Sequence, residues 1–364
     1  MIVKEVIDYI DEFAPFCYAE EFDNVGLIIG DYNQKVNGIL VTLDSTESVI
    51  DEAIKSKCNL IISFHPIIFN DIKSVTTNTY VERVIHKSIK NNISIIAIHT
   101  SLDNSIKGVN STICKKLDIK NYKILIPKEG TIKKLTTYIP SDNVDLLKSE
   151  IFKIGGGSLG KYDNCSFSYK GLGTFKGNKK SNPKIGNKLT YTEIEEVCVN
   201  ITFLKHLEKK VIKTLKENHP YEEVAYEICS LDNYNQNIGM GMIGELDSAM
   251  DENKFLSFLK KRMKSKSIKH SKKLGKKVHK IAVLGGSGSF AIENAINNDA
   301  DAFVTSDLKY HDYFKAENKL LLVDIGHYES EQYTKKLIFN FLTKKIPNFA
   351  IVLSKANTNP IMYS

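Results

Sequence analysis

Four residues combine metal-coordinating side chains with positions where ligands are often bound: His65, Asp103, His327 and Glu331. The first three each follow an apolar stretch typical of a buried strand, so each is expected at the carboxyl end of a strand. In open α/β sheets, ligands bind at those ends. Glu331 lies four residues after His327, and residues at that spacing share one helix face, where an imidazole and a carboxylate could hold one ion.

The donor set contains no thiolate, which suits zinc, iron(II) or manganese and does not discriminate among them. Each residue also has an ordinary structural explanation when it is taken alone. His65 could be a core histidine, Asp103 a turn residue, and Glu331 a first-turn charge favoured by the helix dipole. Because four such residues occur together at strand ends or one helical turn beyond, the sequence predicts a divalent-metal site.

Two other motifs carry weaker indications of chemistry. The run Gly285-Gly286-Ser287-Gly288-Ser289 lies between a predicted strand and a predicted helix and could cradle a phosphate. It matches neither GxGxxG nor a P-loop, so a tight turn with close helix packing is the favoured interpretation. A helix-to-strand turn equally explains the cluster His219-Pro220-Tyr221-Glu222-Glu223.

Alternating strands and helices must position these residues. In residues 1–125 and 276–364, buried strands alternate with amphipathic helices, at a spacing typical of a largely parallel sheet. Residues 126–275 instead show short strands and helices in the order β-α-β-β-α-β, which indicates a ferredoxin-like α+β module with an exposed insertion at 176–188. The sequence therefore predicts a discontinuous α/β domain split by an inserted α+β domain.

Composition describes an ordinary globular chain of 364 residues with 42% hydrophobic and 26% charged residues, long enough for two or more domains. No apolar run reaches the length of a membrane span, and the N-terminal residues enter an amphipathic helix without the pattern of a signal peptide. The six cysteines are scattered without a CxxC pair. These features predict a cytoplasmic protein with free thiols and no membrane association.

The net charge of +7 is concentrated in one segment. Residues 260–280 contain eleven Lys or Arg and no Asp or Glu, so the rest of the chain carries a net charge of −4. A solvated strand-turn-strand edge is favoured over a phosphate-binding patch. The segment has no aromatic residue to stack on bases, and nucleic acid is therefore not an expected partner.

Six sequence blocks resemble the signature motifs of the Nif-three-like family, whose members are often labelled GTP cyclohydrolase I type 2 homologues. The blocks occur in the order of the family and extend over essentially the whole chain. They are Phe22-Asp23-Asn24-Val25-Gly26-Leu27, Ser63-Phe64-His65-Pro66-Ile67-Ile68-Phe69, His99-Thr100-Ser101-Leu102-Asp103, His219-Pro220-Tyr221-Glu222-Glu223-Val224-Ala225-Tyr226, Gly285-Gly286-Ser287-Gly288, and Gly326-His327 with Glu331.

The resemblance implies a Nif-three-like two-lobed α/β fold whose inserted module is similar to the nitrogen-regulatory PII proteins. It also implies a ring-shaped homohexamer with a dinuclear divalent-metal site that faces an inner cavity. The implied ligands are His65, Asp103, His327 and Glu331, with Glu331 as the bridge between the metals.

One residue departs from the family pattern. The family block usually reads His-His-Pro, with both histidines as ligands, whereas this chain has Phe64 at the first position. Phenylalanine cannot coordinate a metal. We expect either one firmly and one weakly bound ion per chain, or a substitute ligand. By motif, His99 and His311 are the nearest candidates for that substitution, and either could instead be a general acid or base.

Two functions remain open from the sequence. The first is a metal-dependent hydrolase in which activated water attacks a phosphoester or a ring carbon of a purine-like base. The second is a non-enzymatic, metal-stabilised hexameric regulatory or scaffold protein. In that case the inserted domain would sense a ligand or contact a partner.

Overall fold

The computed structural model describes all residues from Met1 to Ser364 and contains fifteen strands and eleven α-helices. The strands are β1 (Gly26–Ile29), β2 (Ile39–Thr42), β3 (Leu60–Ser63), β4 (Ser94–Ala97), β5 (Lys120–Pro127), β6 (Ile132–Ile139), β7 (Phe167–Lys176), β8 (Tyr191–Leu204), β9 (Tyr226–Leu231), β10 (Gly239–Asp251), β11 (Lys269–His270), β12 (Lys277–Ser287), β13 (Ala302–Ser306), β14 (Leu321–Asp324) and β15 (Ile351–Leu353). The helices are α1 (Val3–Phe13), α2 (Glu47–Lys55), α3 (Tyr80–Lys90), α4 (His99–Asp103), α5 (Val109–Lys116), α6 (Val144–Lys153), α7 (Glu208–Asn218), α8 (Glu252–Met263), α9 (Ile292–Asn297), α10 (His327–Glu331) and α11 (Thr334–Lys345).

The chain divides into two compact units, one formed by Met1–Pro127 with Gln236–Ser364 and the other by Lys128–Asn235. The inserted unit is thus shorter than the segment 126–275 predicted from the sequence. The reason is β10, which pairs with β5 on one side and with β12 on the other. Its backbone hydrogen bonds therefore belong to a sheet of the first unit.

The first unit contains a five-stranded sheet in the order β1-β4-β3-β2-β15. Strands β15, β2, β3 and β4 run parallel, and β1 is antiparallel to β4. All four residues of β2, β3 and β4 are buried, as expected for apolar strands with both faces covered. The largely parallel sheet predicted for this part of the chain is confirmed, and β3 and β4 end at the same edge.

A second, six-stranded sheet of the same unit has the order β11-β14-β13-β12-β10-β5. Its strands β12, β13 and β14 are parallel. The two strands expected in the basic segment 260–280 are present as β11 and the start of β12, but they do not form a hairpin. Strand β11 pairs with β14 at the sheet edge, whereas β12 pairs with β10 and β13. One hydrophobic core joins both sheets of this unit.

The inserted unit has one antiparallel sheet in the order β7-β8-β6-β9. Helix α6 lies between β6 and β7 in the chain, and α7 lies between β8 and β9. This connectivity and strand order are those of a ferredoxin-like module, as predicted. Its core includes Leu135, Ile151, Ile201 and Leu215. None of the helices of the protein is both long and apolar enough to cross a lipid bilayer.

Candidate metal centre

Two imidazoles and one carboxylate meet beyond the carboxyl ends of β3 and β14. His65 Nε2 lies 3.1 Å from Glu331 Oε2, and His327 Nε2 lies 3.0 Å from the same oxygen. One ligand atom from each of the three residues lies within 4.8 Å of the others. The Glu331 side chain is only 4% exposed. The structure thus brings three of the four predicted ligands into a group that could hold one ion.

A second carboxylate fixes each imidazole from its other side. His65 Nδ1 lies 2.7 Å from Asp44 Oδ1, and His327 Nδ1 lies 2.6 Å from Asp307 Oδ2. A carboxylate at Nδ1 favours the tautomer whose lone pair is at Nε2. When the imidazoles are neutral, both lone pairs face the same buried carboxylate oxygen, and three acceptor atoms converge. Acceptors that converge in this way need a positive charge between them, so the residues fit a divalent cation.

Protons would compete with a metal ion for the imidazoles of His65 and His327. Burial lowers the pKa of His65, but the charge of Glu331 and hydrogen bonds to Asp44 and Glu331 outweigh burial and raise the pKa to about 10. In His327, burial is likewise outweighed by hydrogen bonds to Asp307 and Glu331, and the pKa rises to about 11. Burial raises the pKa of Glu331, yet the two imidazoles bring it to about 2. The metal-free group therefore consists of two imidazolium ions and one carboxylate.

Metal binding should consequently release about two protons near pH 7.5, because only neutral imidazole coordinates a metal. Apparent affinity should rise with pH, by roughly tenfold per unit for each proton released. The raised pKa values also stabilise the metal-free fold fully below pH 6.5, and this contribution is lost as the pH passes about 10 and 11. Calorimetric titration in buffers of different ionisation enthalpy measures the released protons. Binding without proton release would contradict the protonated group.

Asp103, the fourth predicted ligand, lies close to this group. It is not one of the three residues whose ligand atoms lie within 4.8 Å of one another. It ends α4, and its buried Oδ1 has no hydrogen-bond partner. Burial raises the pKa of Asp103, the nearby charge of Glu331 raises it further, and His65 and His327 act in the opposite direction. Asp103 is thus coupled electrostatically to the other three residues and is an unsatisfied acceptor beside them.

Phe64 and His99 lie next to this group of candidate ligands. Phe64 is fully buried, and its ring centroid lies 4.8 Å from that of His65 and 5.6 Å from that of His99. The rings of His65 and His99 are 5.3 Å apart. A third carboxylate, Asp23, holds His99 Nδ1 at 2.7 Å. His99 therefore has the same imidazole–carboxylate arrangement as the two predicted ligands.

His311 is not brought into this group. It lies on an exposed 3-10 segment, where its ring contacts Tyr310 and Phe314 at centroid distances of 5.2 and 6.2 Å. Of the two histidines considered as substitute ligands or acid/base groups, only His99 lies beside the candidate ligands.

Sequence reasoning missed the carboxylates that hold the imidazoles. Asp44 follows β2 and Asp307 follows β13, and these strands are the parallel neighbours of β3 and β14. Side chains at the ends of adjacent parallel strands can meet, and both carboxylates were recognisable in the sequence as residues that follow strands. Asp23 follows no strand. It had no comparable signal.

The glycine run after β12 makes room for Glu331. A Cβ atom on Gly286, whose φ is +71°, would lie 2.5 Å from Glu331 Oε1. The N–H groups of Gly285 and Gly286 donate to Asn110 Oδ1 and Ser330 Oγ, each at 2.9 Å. These two donors are already used and do not cradle a phosphate. The tight-turn interpretation of this motif therefore describes the structure.

Known proteins similar to this chain share its full length. The profile of the family described as Duf34/NIF3 (NGG1p interacting factor 3) matches residues 1–360. A Bacillus subtilis (strain 168) protein named GTP cyclohydrolase 1 type 2 homolog is 35% identical, and the match covers 99% of this chain and 98% of that protein. A protein of the same name from Staphylococcus aureus (strain Mu50 / ATCC 700699) is 33% identical over 100% of both chains.

Solved structures give the same result. The structure described as the Bacillus cereus protein related to NIF3 has a TM-score of 0.87 and 34% identity, covering 100% of this chain and 99% of that chain. Staphylococcus aureus protein SA1388 has a TM-score of 0.78 and 30% identity, with the same coverage. The chain belongs to the DUF34/NIF3 family.

Proposed function

We propose that the protein binds a divalent metal ion through His65, His327 and Glu331 and hydrolyses a nucleotide or a related phosphoester. The supporting observation is the approach of two imidazole Nε2 atoms to one buried carboxylate oxygen, at 3.0 and 3.1 Å. The ligand types suit zinc, iron or manganese. Such an ion, when bound, would polarise an oxygen of the substrate and lower the pKa of water.

The residues support one firmly held ion per chain. The ligand atoms of His65, His327 and Glu331 lie within 4.8 Å of one another and could surround one ion. A second ion would have Asp103 and a share of Glu331 but no imidazole from position 64, because Phe64 occupies it. Two carboxylates alone are weak ligands for the metals that prefer imidazole.

His99 is the proposed acid/base group. Its Nδ1 is bound to Asp23, so a proton would be exchanged at Nε2. Burial raises the pKa of Asp23, but the His99 imidazole and bonds from Thr100 outweigh burial and lower it. Asp23 thus stays ionised and can orient the imidazole through the proton transfer.

Two exposed phenylalanine rings beside His99 support a substrate with a planar ring. Phe69 is 49% and Phe22 is 66% exposed. Their centroids are 6.3 Å apart, and Phe69 lies 6.2 Å from His99 in an edge-on contact. Exposed aromatic rings beside a polar centre are suited to stacking on a planar ligand. This favours a nucleotide over a simple phosphoester and agrees in class with the name of the curated relatives.

The proposal is tested with metal-loaded protein on a panel of nucleotides and of phosphoesters without a planar aromatic ring, such as ribose 5-phosphate. Turnover is expected for nucleotides. His99→Asn should keep the metal content and lose about 10²- to 10⁴-fold in kcat, the usual range for general acid–base catalysis. His311→Asn, which changes an exposed histidine outside the group, is the matched control and should keep full activity. A panel without turnover at saturating metal would remove the hydrolase proposal.

One observation favours the alternative, a metal-stabilised regulatory or scaffold protein that assembles as a homohexamer. The inserted unit contains its own cleft of about 640 Å³, whose lining includes Tyr138, Tyr169, Tyr221 and Glu196. A ligand bound there would be sensed by a unit without the metal-binding residues. Metal removal followed by size-exclusion chromatography with light scattering separates the two functions. Loss of assembly on metal removal supports the scaffold, whereas loss of turnover alone supports the hydrolase.

A further inference from the structure

Residues 354–364, here called the strap segment, form neither helix nor strand, yet carboxylates hold them at three places along their length. The first is Glu52 of α2. It accepts hydrogen bonds from Ser354 Oγ at 2.6 Å and from the backbone N–H of Lys355 at 2.8 Å. Burial raises the pKa of Glu52, but these bonds outweigh burial and lower it. The start of the strap segment is thus fixed to an ionised side chain.

The second carboxylate is Asp44, which links the strap segment to a candidate ligand. Thr358 Oγ1 donates a hydrogen bond to Asp44 Oδ2. The other oxygen of the same carboxylate, Oδ1, lies 2.7 Å from His65 Nδ1. The half-buried Thr358 and the imidazole of His65 therefore share one carboxylate.

The third carboxylate is Glu329, which lies between His327 and Glu331 on the short helix α10. Its side chain is almost fully buried, and Oε2 has no hydrogen-bond partner. Both donors to its Oε1 come from the strap segment: Tyr363 Oη at 3.4 Å and Asn359 Nδ2 at 3.5 Å. The strap segment thus also contacts the helix that presents the other two candidate ligands.

We infer that the strap segment positions the metal centre from outside its ligand set. Thr358 fixes Asp44 and thereby orients His65, while Asn359 and Tyr363 hold α10. The inference rests on the proposed metal binding. Groups that orient ligating histidines typically change metal affinity by about 10- to 100-fold when they are removed.

Co²⁺ is the probe, because its affinity and its visible absorption spectrum both report on ligand geometry. Thr358→Val in the full chain should weaken Co²⁺ binding by about 10- to 100-fold and change the spectrum. Thr358→Ser keeps the hydroxyl and should restore both. Thr343→Val is the matched control, since the Thr343 hydroxyl bonds only to Phe339 O within α11, and it should bind Co²⁺ as the wild type does. Tyr363→Phe tests the contact to α10 separately and should also weaken binding.

The outcomes separate this inference from the proposed function. Wild-type Co²⁺ affinity and spectrum in both Thr358→Val and Tyr363→Phe overturn the positioning role, even if the metal-free variants melt at a lower temperature. A wild-type protein that binds no Co²⁺ overturns the metal centre itself and the inference with it. Weakened binding that Thr358→Ser rescues supports both.

Discussion

Glu331→Gln is expected to abolish stoichiometric binding of a divalent metal. The Glu331 carboxylate is the one anionic group that both Nε2 atoms face, and it is almost fully buried. A glutamine removes the charge and can turn its NH₂ towards the imidazole lone pairs, which satisfies them without an ion. Because even groups behind the ligands are worth about 10- to 100-fold in affinity, loss of this ligand should exceed 100-fold. Competition titration with a chromophoric chelator and elemental analysis of the purified protein measure the effect.

A matched control separates the lost ligand from the loss of a buried carboxylate. Glu252 is also buried, and it accepts the backbone N–H groups of Leu274 and Gly275 at 2.8 and 2.9 Å. Glu252→Gln should therefore reduce stability but leave metal content unchanged. In Glu331→Gln, the pKa values of His65 and His327 should return towards 6.5, since Glu331 contributes to raising both. One ion per chain in Glu331→Gln would show that the metal centre lies elsewhere.

Sequence reasoning could place His65 and His327 because buried strands have a clear signature and end in polar residues at one sheet edge. It could not pair these histidines with Asp44 and Asp307. That pairing depends on which strands are neighbours, namely β2 with β3 and β13 with β14. Neighbour relations arise from contacts that are distant in the chain, and the periodicity of a single strand does not contain them. Asp44 and Asp307 could be recognised as strand-end residues, but the histidine with which each one pairs could not be identified from the sequence.

The boundary of the inserted unit also depends on strand pairing that the local sequence does not reveal. Strand β10 follows the module directly and has a strand-like sequence, so nothing local separates it from the preceding strands. Its place is set by pairing with β5 and β12. Likewise, the glycine run after β12 could be predicted as a turn, but the need for Gly286 became evident only from the position of Glu331 against it.

Phe64→His should raise the metal content from one to two ions per chain. The Phe64 ring lies beside the rings of both His65 and His99, and Asp103 Oδ1 is a buried acceptor without a partner near the same group. An imidazole at position 64 would give a second ion one nitrogen ligand together with Asp103 and a share of Glu331. Elemental analysis and calorimetric stoichiometry on protein reconstituted with Zn²⁺ or Mn²⁺ measure the change.

The substitution should also destabilise the metal-free protein, and Phe64→Leu is the control for that effect. Phe64 is fully buried in the main core, so its replacement should destabilise the metal-free fold by about 2–4 kcal/mol. Phe64→Leu should lower stability in the same direction but still bind one ion. In Phe64→His, metal should recover much of the lost stability, because binding to the folded state alone shifts the unfolding equilibrium. If the wild type already binds two ions tightly, or if Phe64→His still binds one, then Phe64 does not limit the second position. If Phe64→His still binds one ion, Asp103 owes its buried, unpartnered oxygen to the fold and not to a second ion.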